Sequence, residues 1–385
     1  MNILFVQTGD YAEAWHSLAR GEPETYRDQQ ASVAYVAGLA PAHQVTTLCL
    51  GATACEETLA PGLAAVGMIR ARTGPAEAGA LLDRLRPDRL ILRSPFRAVL
   101  TEAARRGIPV LPCFADLFQP GGLRRKVRHW QLRRALAQAQ APCVANHSLN
   151  ASQSLVSVLG LSADRVVPWD WSPVTAEPDA RQAVADPARP QLFYAGVLSA
   201  DKGVGDCLSA VQLLHQRGIM AGMSLAGGGD LQHWQKEARR LGIAEHLRFL
   251  GLIPNTEVRA RMAAHDAVIV PSRHSYPEGL PNTIYEALAS RSPLILSDHP
   301  AFARRITPGQ GGLVFAASEP QALADEVARL CTEEGLFARL SAAAPDTLRG
   351  LTIGLEWSAL VDLFLQDPAD DTGWVRQHAL SGLTA

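Results

Sequence analysis

At 385 residues, 47% of them hydrophobic, the chain is long and apolar enough for two domains with real cores. A formal net charge of −2 excludes a long-range pull toward nucleic acid for the molecule as a whole, so any basic site must be local. Six cysteines at 49, 55, 113, 143, 207 and 331 form no CxxC pair and lie mostly in apolar runs, which points to small core residues in a reducing, cytoplasmic setting.

The first run, NILFVQ, is too short for a signal-peptide core, and no apolar stretch reaches about 18 residues, so neither a secretion signal nor a membrane span is expected. QTGDYAEAWHSLARGEPETYRDQQ reads as a long polar loop entering a helix near 24–40. QVTTLCL, a helix near 76–86, DRLILRS, another helix and IPVLPC then alternate. That order implies a parallel sheet covered on both faces.

Next, LRRKVRHWQLRRAL (123–136) puts Leu123, Val127 and Trp130 on one helical stripe among six Arg/Lys residues and His129. The stripe reads first as core-facing with a solvated basic rim, and second as a docking face for anionic lipid at the inner face of a membrane. APCVANH, a helix from Ser148 and VVPWDWSP follow, and a Pro-, Ala- and Asp-rich linker runs from Pro173 to Pro190.

The alternation restarts with QLFYAG and a helix near 204–217. GMSLAGGG, a helix near 231–241, HLRFLG, a helix near 256–264 and DAVIVPS complete a second doubly wound sheet. The expected organisation is therefore α/β, with two Rossmann-like domains, 1–172 and 173–351, facing a central cleft. A final helical stretch near Thr352–Gln366 carries Trp357, and the polar tail 367–385 has no assignable chemistry.

The chemistry concentrates in PSRHSYPEGLPNTIYEALASRSPLILSD (271–298). Its first half is turn-rich, which places Glu278 on a loop after the strand DAVIV. Its second half opens a helix at Pro281, with Ile284, Ala287 and Leu288 on the apolar side and Asn282, Thr283 and Glu286 on the other. A helix start leaves free N–H groups, so Gly279–Thr283 can cradle phosphate oxygens between two carboxylates able to accept hydrogen bonds from sugar hydroxyls. The alternative is an ordinary turn glutamate and a solvated helix glutamate. In YAGVLSADKGVGD, Lys202 sits at the tip of a turn where an ammonium can reach a phosphate.

EGLPNTIYE-ALASRSPLILS resembles the Glu-x7-Glu signature of retaining GT-B glycosyltransferases, family 4 or "group 1", and the likeness extends over nearly the whole chain, most specifically Gly196 to Ser297. The resemblance implies a metal-independent transferase using a nucleotide-diphosphate sugar as donor substrate, with no cofactor, and a glycan, lipid-linked or small-molecule acceptor. It assigns Glu278 to donor-sugar hydroxyls and Glu286 to ribose hydroxyls. Gly279, Leu280, Pro281, Asn282 and Thr283 lie at the phosphates, and Lys202 at the leaving diphosphate. Gly228 belongs to the family's Gly-x-Gly turn, where a purely structural turn is an equal reading, and Leu252 and Ile253 border the base. The final helix is expected to cross back to the first domain.

Two departures stand out. In the family pattern Gly-Arg-Leu-(x)3-Lys-Gly the arginine is Val197, for which Arg273 is the nearest replacement by sequence, with Arg93 and Arg27 further away. The family histidine is Ala115, leaving Asp116 to share its work. Gly9, Asp10, Glu24, Thr25, Arg27 and Arg93 are the acceptor-side candidates. The two losses together motivate a rival reading as a non-catalytic nucleotide-sugar-binding protein. A GT-B-type epimerase is the other rival.

Overall fold

The computed structural model describes all residues except 25–27, 52–53, 70–73, 277, 303–304 and 384–385. The chain divides into one unit of residues 1–172 and 353–385 and a second of residues 173–352.

The first unit runs β1 (Asn2–Gln7), α1 (Tyr11–Ala19), α2 (Gln29–Gly38), β2 (Gln44–Leu50), β3 (Cys55–Ala60), β4 (Leu63–Met68) and α3 (Pro75–Leu85). It continues through β5 (Arg89–Leu92), α4 (Arg97–Arg105), β6 (Val110–Phe114), α5 (Leu123–Gln138), β7 (Val144–His147), α6 (Leu149–Ser157) and β8 (Val166–Trp169). Among the described residues these strands form one sheet in the order β3-β4-β2-β1-β5-β6-β7-β8, parallel except for the β3–β4 pair. The central strands are buried on both faces, as a parallel sheet under two helical layers requires.

Two features depart from the sequence expectation. The stretch read as a polar loop contains α1, which Asp10 caps by accepting from the Glu13 N–H at 3.1 Å. Its Tyr11, Trp15 and Leu18 recur at helical spacing against the core. The hairpin partner β3 gave no apolar signal because CEETLA lies exposed on the sheet edge.

The second unit runs β9 (Gln191–Ala195), α7 (Val204–Gln216), β10 (Gly222–Ala226), α8 (Leu231–Arg240), β11 (Leu247–Gly251) and α9 (Asn255–Ala263). After these come β12 (Ala267–Val270), α10 (Asn282–Ala289), β13 (Leu294–Ser297), β14 (Leu313–Phe315), α11 (Pro320–Thr332) and α12 (Leu336–Leu351). Its sheet has the order β11-β10-β9-β12-β13-β14, and every pair is parallel. The order reverses direction between β9 and β12, so the loops after these two strands diverge at a topological switch point, where open α/β sheets bind ligands.

The chain then returns to the first unit with α13 (Trp357–Gln366), α14 (Trp374–His378) and α15 (Leu380–Leu383). The tail is packed: Trp374, Val375 and Leu380 are buried in that unit's cores.

Candidate functional site

In the second unit the two motifs found far apart in sequence are tied together. The turn after β9 carries Lys202, and the loop after β12 carries Glu278. The Lys202 ammonium pairs with Glu278 Oε1, which also accepts from Ser272 Oγ at 2.7 Å. Lys202 Nζ lies 4.6 Å from the centre of the Tyr276 ring. Both partners are largely buried, so the pair is held by its surroundings rather than by chance surface contact.

Glycine makes this approach possible. Gly203 has φ +75°, and a Cβ there would stand 2.1 Å from the Pro271 carbonyl oxygen. Only a residue without a side chain lets the lysine turn lie against the glutamate loop.

More bonds brace the same two segments. Arg273 donates to Asp206 through Nε at 2.9 Å and Nη2 at 2.6 Å, Arg273 N–H donates to the Asp201 carbonyl at 2.9 Å, and Ser275 Oγ donates to the Asp201 carboxylate at 2.8 Å. The Asp206 carboxylate holds the Arg273 guanidinium above its ordinary range. The guanidinium charge is thus balanced by a buried carboxylate where the sequence reading wanted a second free cation. Val197, at the position of the family arginine, is an exposed apolar side chain.

His299 fixes the loop from below. The Ala301 N–H donates to its Nδ1 at 3.1 Å, so Nε2 carries the proton and donates to the Tyr276 carbonyl at 3.0 Å. Burial holds this imidazole below its ordinary range, which keeps it neutral.

The helix α10 begins after Pro281, with no side-chain cap. The backbone N–H groups of Gly279, Leu280, Asn282 and Thr283 make no hydrogen bond among the described residues, and Pro281 has none to offer. Thr283 Oγ1 donates to the Ala195 carbonyl at 3.2 Å, pinning this helix start to the end of β9. Glu286 is buried on α10 rather than solvated, and Glu278 is buried too. Neither glutamate is therefore a solvated surface residue.

The run Ala226–Asp230 has a structural duty. A Cβ on Gly227 would meet the Gly196 carbonyl oxygen at 1.8 Å, and Leu198 N–H donates to the Gly228 carbonyl at 2.7 Å. The turns after β9 and β10 therefore lie backbone to backbone. Leu252 stands 84% exposed at the end of β11, 3.5 Å from the space a Gly228 Cβ would fill, and Ile253 beside it is half-buried.

In the first unit, a cavity of about 410 Å³ opens at the carboxyl ends of β1, β5, β6 and β8, lined by Gln7, Thr8, Arg93, Asp116, Trp169 and Trp171, among others. Two sequence candidates, Arg93 and Asp116, meet there. Arg93 donates to Gln7 Oε1 at 3.0 Å and stacks 4.6 Å from the Trp357 ring centre. Ala115 lines the same wall, so the missing histidine leaves room rather than a gap in the fold. Burial pushes the Cys113 thiol on this wall up to about 12, so it is inert there. Sequence reasoning passed over Trp169 and Trp171, although two tryptophans two residues apart at the end of a strand share one face.

Gly9, Asp10 and Glu24 do not join this cavity's lining. Asp10 caps α1, Glu24 accepts from the Gln30 N–H at 3.3 Å near the start of α2, and Gly9 takes φ +88° in the turn after β1. Thr25 and Arg27 lie outside the described residues.

The basic helix α5 corrects its first reading. Leu123 is 79%, Val127 45% and Trp130 59% exposed, so the stripe does not face the core. The buried residues of α5 are Leu132, Ala135 and Leu136, all in its second half. Among the described residues no helix is long and apolar enough to cross a membrane, and no cluster of three or more His, Cys, Asp or Glu could hold a metal ion.

Residues 176–347 match the family described as Glycosyl transferases group 1. A glycogen synthase of Mycobacterium tuberculosis is 30% identical over 182 residues, 47% of this chain and 42% of that protein. A phosphatidyl-myo-inositol mannosyltransferase of Mycobacterium leprae is 29% identical over 177 residues, 46% of this chain and 42% of that protein. The match thus spans less than half the length of these curated relatives. Among solved structures, Anabaena Alr3699/HepE in complex with UDP superposes with a TM-score of 0.64 at 14% identity, covering 95% of this chain and 99% of that one. Sucrose-phosphate synthase from Thermosynechococcus elongatus gives 0.66 at 16% identity, over 94% and 98%. The family match is therefore confined to residues 176–347, while the two Rossmann-like units have the GT-B fold.

Proposed function

We propose that this protein is a retaining, metal-independent hexosyltransferase of family 4, moving a sugar from a nucleotide-diphosphate sugar to an acceptor hydroxyl. The observation that carries the reading is the meeting of Lys202 and Glu278 beside the open N–H groups of Gly279, Leu280, Asn282 and Thr283. A cation and a helix start are what a departing diphosphate needs, and a buried carboxylate beside them suits the hydroxyls of the sugar it leaves.

In this reaction the bond between the anomeric carbon and the diphosphate oxygen breaks while the acceptor oxygen bonds to the same face of that carbon. The acceptor's proton passes to the leaving diphosphate oxygen, so no protein base is required. Lys202 and the N–H groups meet charge that grows as the bond breaks, which places their effect on turnover more than on binding. Glu286 accepts from the ribose hydroxyls, while Leu252 and Ile253 border the base. Arg273 braces the Lys202 turn through Asp206. Asp116, Arg93 and the Trp171 face line the acceptor's cavity in the first unit, and α5 rests on the cytoplasmic face of a membrane.

The test is release of free nucleotide from a panel of nucleotide-diphosphate sugars, with and without glycan and lipid-linked acceptors, after a thermal-shift screen for the donor. A donor at 100 times its dissociation constant stabilises by about 2.7 kcal/mol, which is easily seen. Stabilisation by a nucleotide sugar without acceptor-dependent release, across the panel, would favour the binding-protein reading that Val197 and Ala115 motivate. Conversion of one nucleotide sugar into another without release of free nucleotide would favour an epimerase.

A further inference from the structure

We propose that the cavity between α5 and the end of α6 takes the phosphomonoester head group of an anionic lipid. The proposal rests on the reading that α5 lies on a membrane, and it names the lipid chemistry that α5 selects.

The cavity holds about 510 Å³ and is lined by Lys126, His129, Trp130 and Arg133 from α5, by Ser157 at the end of α6 and Val158 just after it, and by Pro120 and Gly121. Residues 126, 129, 130 and 133 are spaced three and four apart, so one face of the helix supplies them all. Leu123 and Val127 extend the exposed apolar seam from Trp130 along the first two turns. The Arg134 guanidinium lies 5.7 Å from the Trp130 ring centre.

Among the described residues the charges of α5 have no acidic partner, and Arg125 meets only the Pro120 carbonyl, at 3.2 Å. α5 contains no acidic residue, and none of its six Arg/Lys side chains makes an ion pair among the described residues. Burial, with Arg125 and Arg128 nearby, holds His129 below the ordinary imidazole range, so the charge of the cavity is that of Lys126 and Arg133. A phosphomonoester carries roughly −1.5 to −2 at neutral pH, which two cations match. A phosphodiester carries one charge and is flanked on both sides by ester groups, so it fills the pair less well.

The apolar seam decides between a lipid and an acidic protein or nucleic acid. Leucine, valine and tryptophan at the rim of a cationic cavity suit the boundary between head groups and acyl chains, where an aromatic ring and a phosphate occur at neighbouring depths. A soluble polyanion would leave that seam in water.

The experiment is co-sedimentation with phosphatidylcholine vesicles containing either phosphatidic acid or phosphatidylglycerol at matched surface charge. It uses the full chain, the pair Lys126→Ala/Arg133→Ala from the cavity, and the pair Arg124→Ala/Arg128→Ala as a control elsewhere on the helix. All four residues are exposed, and thermal unfolding checks that both variants keep the fold. One Lys or Arg at an anionic surface changes partitioning roughly fivefold, so two change it about thirtyfold. The control pair should lose that much on both surfaces alike. The cavity pair should lose a further tenfold on phosphatidic acid, abolishing a wild-type preference for that lipid.

Equal losses for the two pairs on phosphatidic acid, or no wild-type preference, would overturn the head-group site while leaving membrane docking intact. Absence of wild-type binding to both anionic surfaces would overturn docking itself. Glycerol 3-phosphate is the soluble arm: displacement of bound protein from the vesicles at micromolar concentration would reassign the cavity to a free phosphomonoester.

Discussion

Replacing Lys202 by alanine removes the cation that Glu278 pairs with and, among the described residues, leaves its largely buried carboxylate with the Ser272 hydroxyl. Breaking a buried pair from one side costs about 3–5 kcal/mol. With the two side chains 14% and 8% exposed, the lower end applies, about 3 kcal/mol. For a unit of this size each kcal/mol lowers the midpoint by roughly 2–4 °C, so Lys202→Ala should melt roughly 6–12 °C lower. Glu278→Gln strands the Lys202 ammonium instead and should cost less, because the lysine is the more exposed partner at 14% and its long stem can turn toward water, and the double variant should be more stable than the sum of the single losses implies. Thermal and urea unfolding of the three variants measure this coupling. Turnover, assayed well below the lowered midpoint, should still fall by about 10²-fold in Lys202→Ala, the effect of losing one donor to a developing anion. Strict additivity within about 0.5 kcal/mol, or an unchanged midpoint, would show that the pair does not hold the two loops together. Normal turnover in a folded Lys202→Ala would remove the lysine from the chemistry.

Arg273→Ala should destabilise the second unit by about 1–3 kcal/mol, since it strands the buried Asp206 carboxylate, and Asp206→Asn combined with it should restore much of the loss. A turnover loss in Arg273→Ala that survives this stability rescue would instead make Arg273 the second cation. Glu286→Ala should weaken donor binding by about 1.5–3 kcal/mol with the fold retained, as titration calorimetry with the donor or its nucleotide would read. For His299 the folded value lies below the unfolded one, so the unfolded chain binds the extra proton. Stability is then complete above about pH 6.5 and is lost as pH falls through that value. His265, also held low by burial, adds to the slope, so His299→Asn should reduce the loss between pH 7 and 5.5 without abolishing it. Urea midpoints across that range check the sign. Trp171→Ala should raise the KM for acceptor and leave donor affinity unchanged. A change in donor affinity would move the acceptor's place away from this cavity.

The two sheets were legible because buried parallel strands are continuous apolar runs, such as LFVQ, LIL and AVIV, separated by turn residues. What escaped lacked that signal for identifiable reasons. β3 is polar because it lies on an edge, β14 is three residues long, and α1 is a nine-residue helix set between polar stretches that hide its Tyr11, Trp15 and Leu18 spacing. The stripe on α5 was misread for a deeper reason. Periodicity reports that a helix has an apolar face and is silent about whether anything covers that face, since an interfacial helix and a core helix obey the same spacing.

The site divides along the same line. Motif spacing put Glu278 and Lys202 on loops after strands and Glu286 on the helix that follows, positions the apolar pattern sets and the fold reproduces. It could not reveal that Lys202 touches Glu278, since their meeting depends on a crossover through three strands and on Gly203 lying against Pro271. Nor could it reveal that Arg273 is committed, because its partner Asp206 sits 67 residues earlier on a helix whose first turn faces the same loop. A charged residue's sequence neighbours say which loop it rides on, and its charge partner decides whether that charge is available to a substrate. The missing family arginine therefore cannot be replaced by proximity in sequence alone. A compensating cation must be one whose counter-ion the substrate itself supplies, and in the second unit Lys202 meets that condition only when a diphosphate draws it away from Glu278. Donor binding should then free the Glu278 carboxylate for the sugar hydroxyls at the moment the lysine turns to the phosphate, so that one exchange of partners prepares both ends of the bond that breaks.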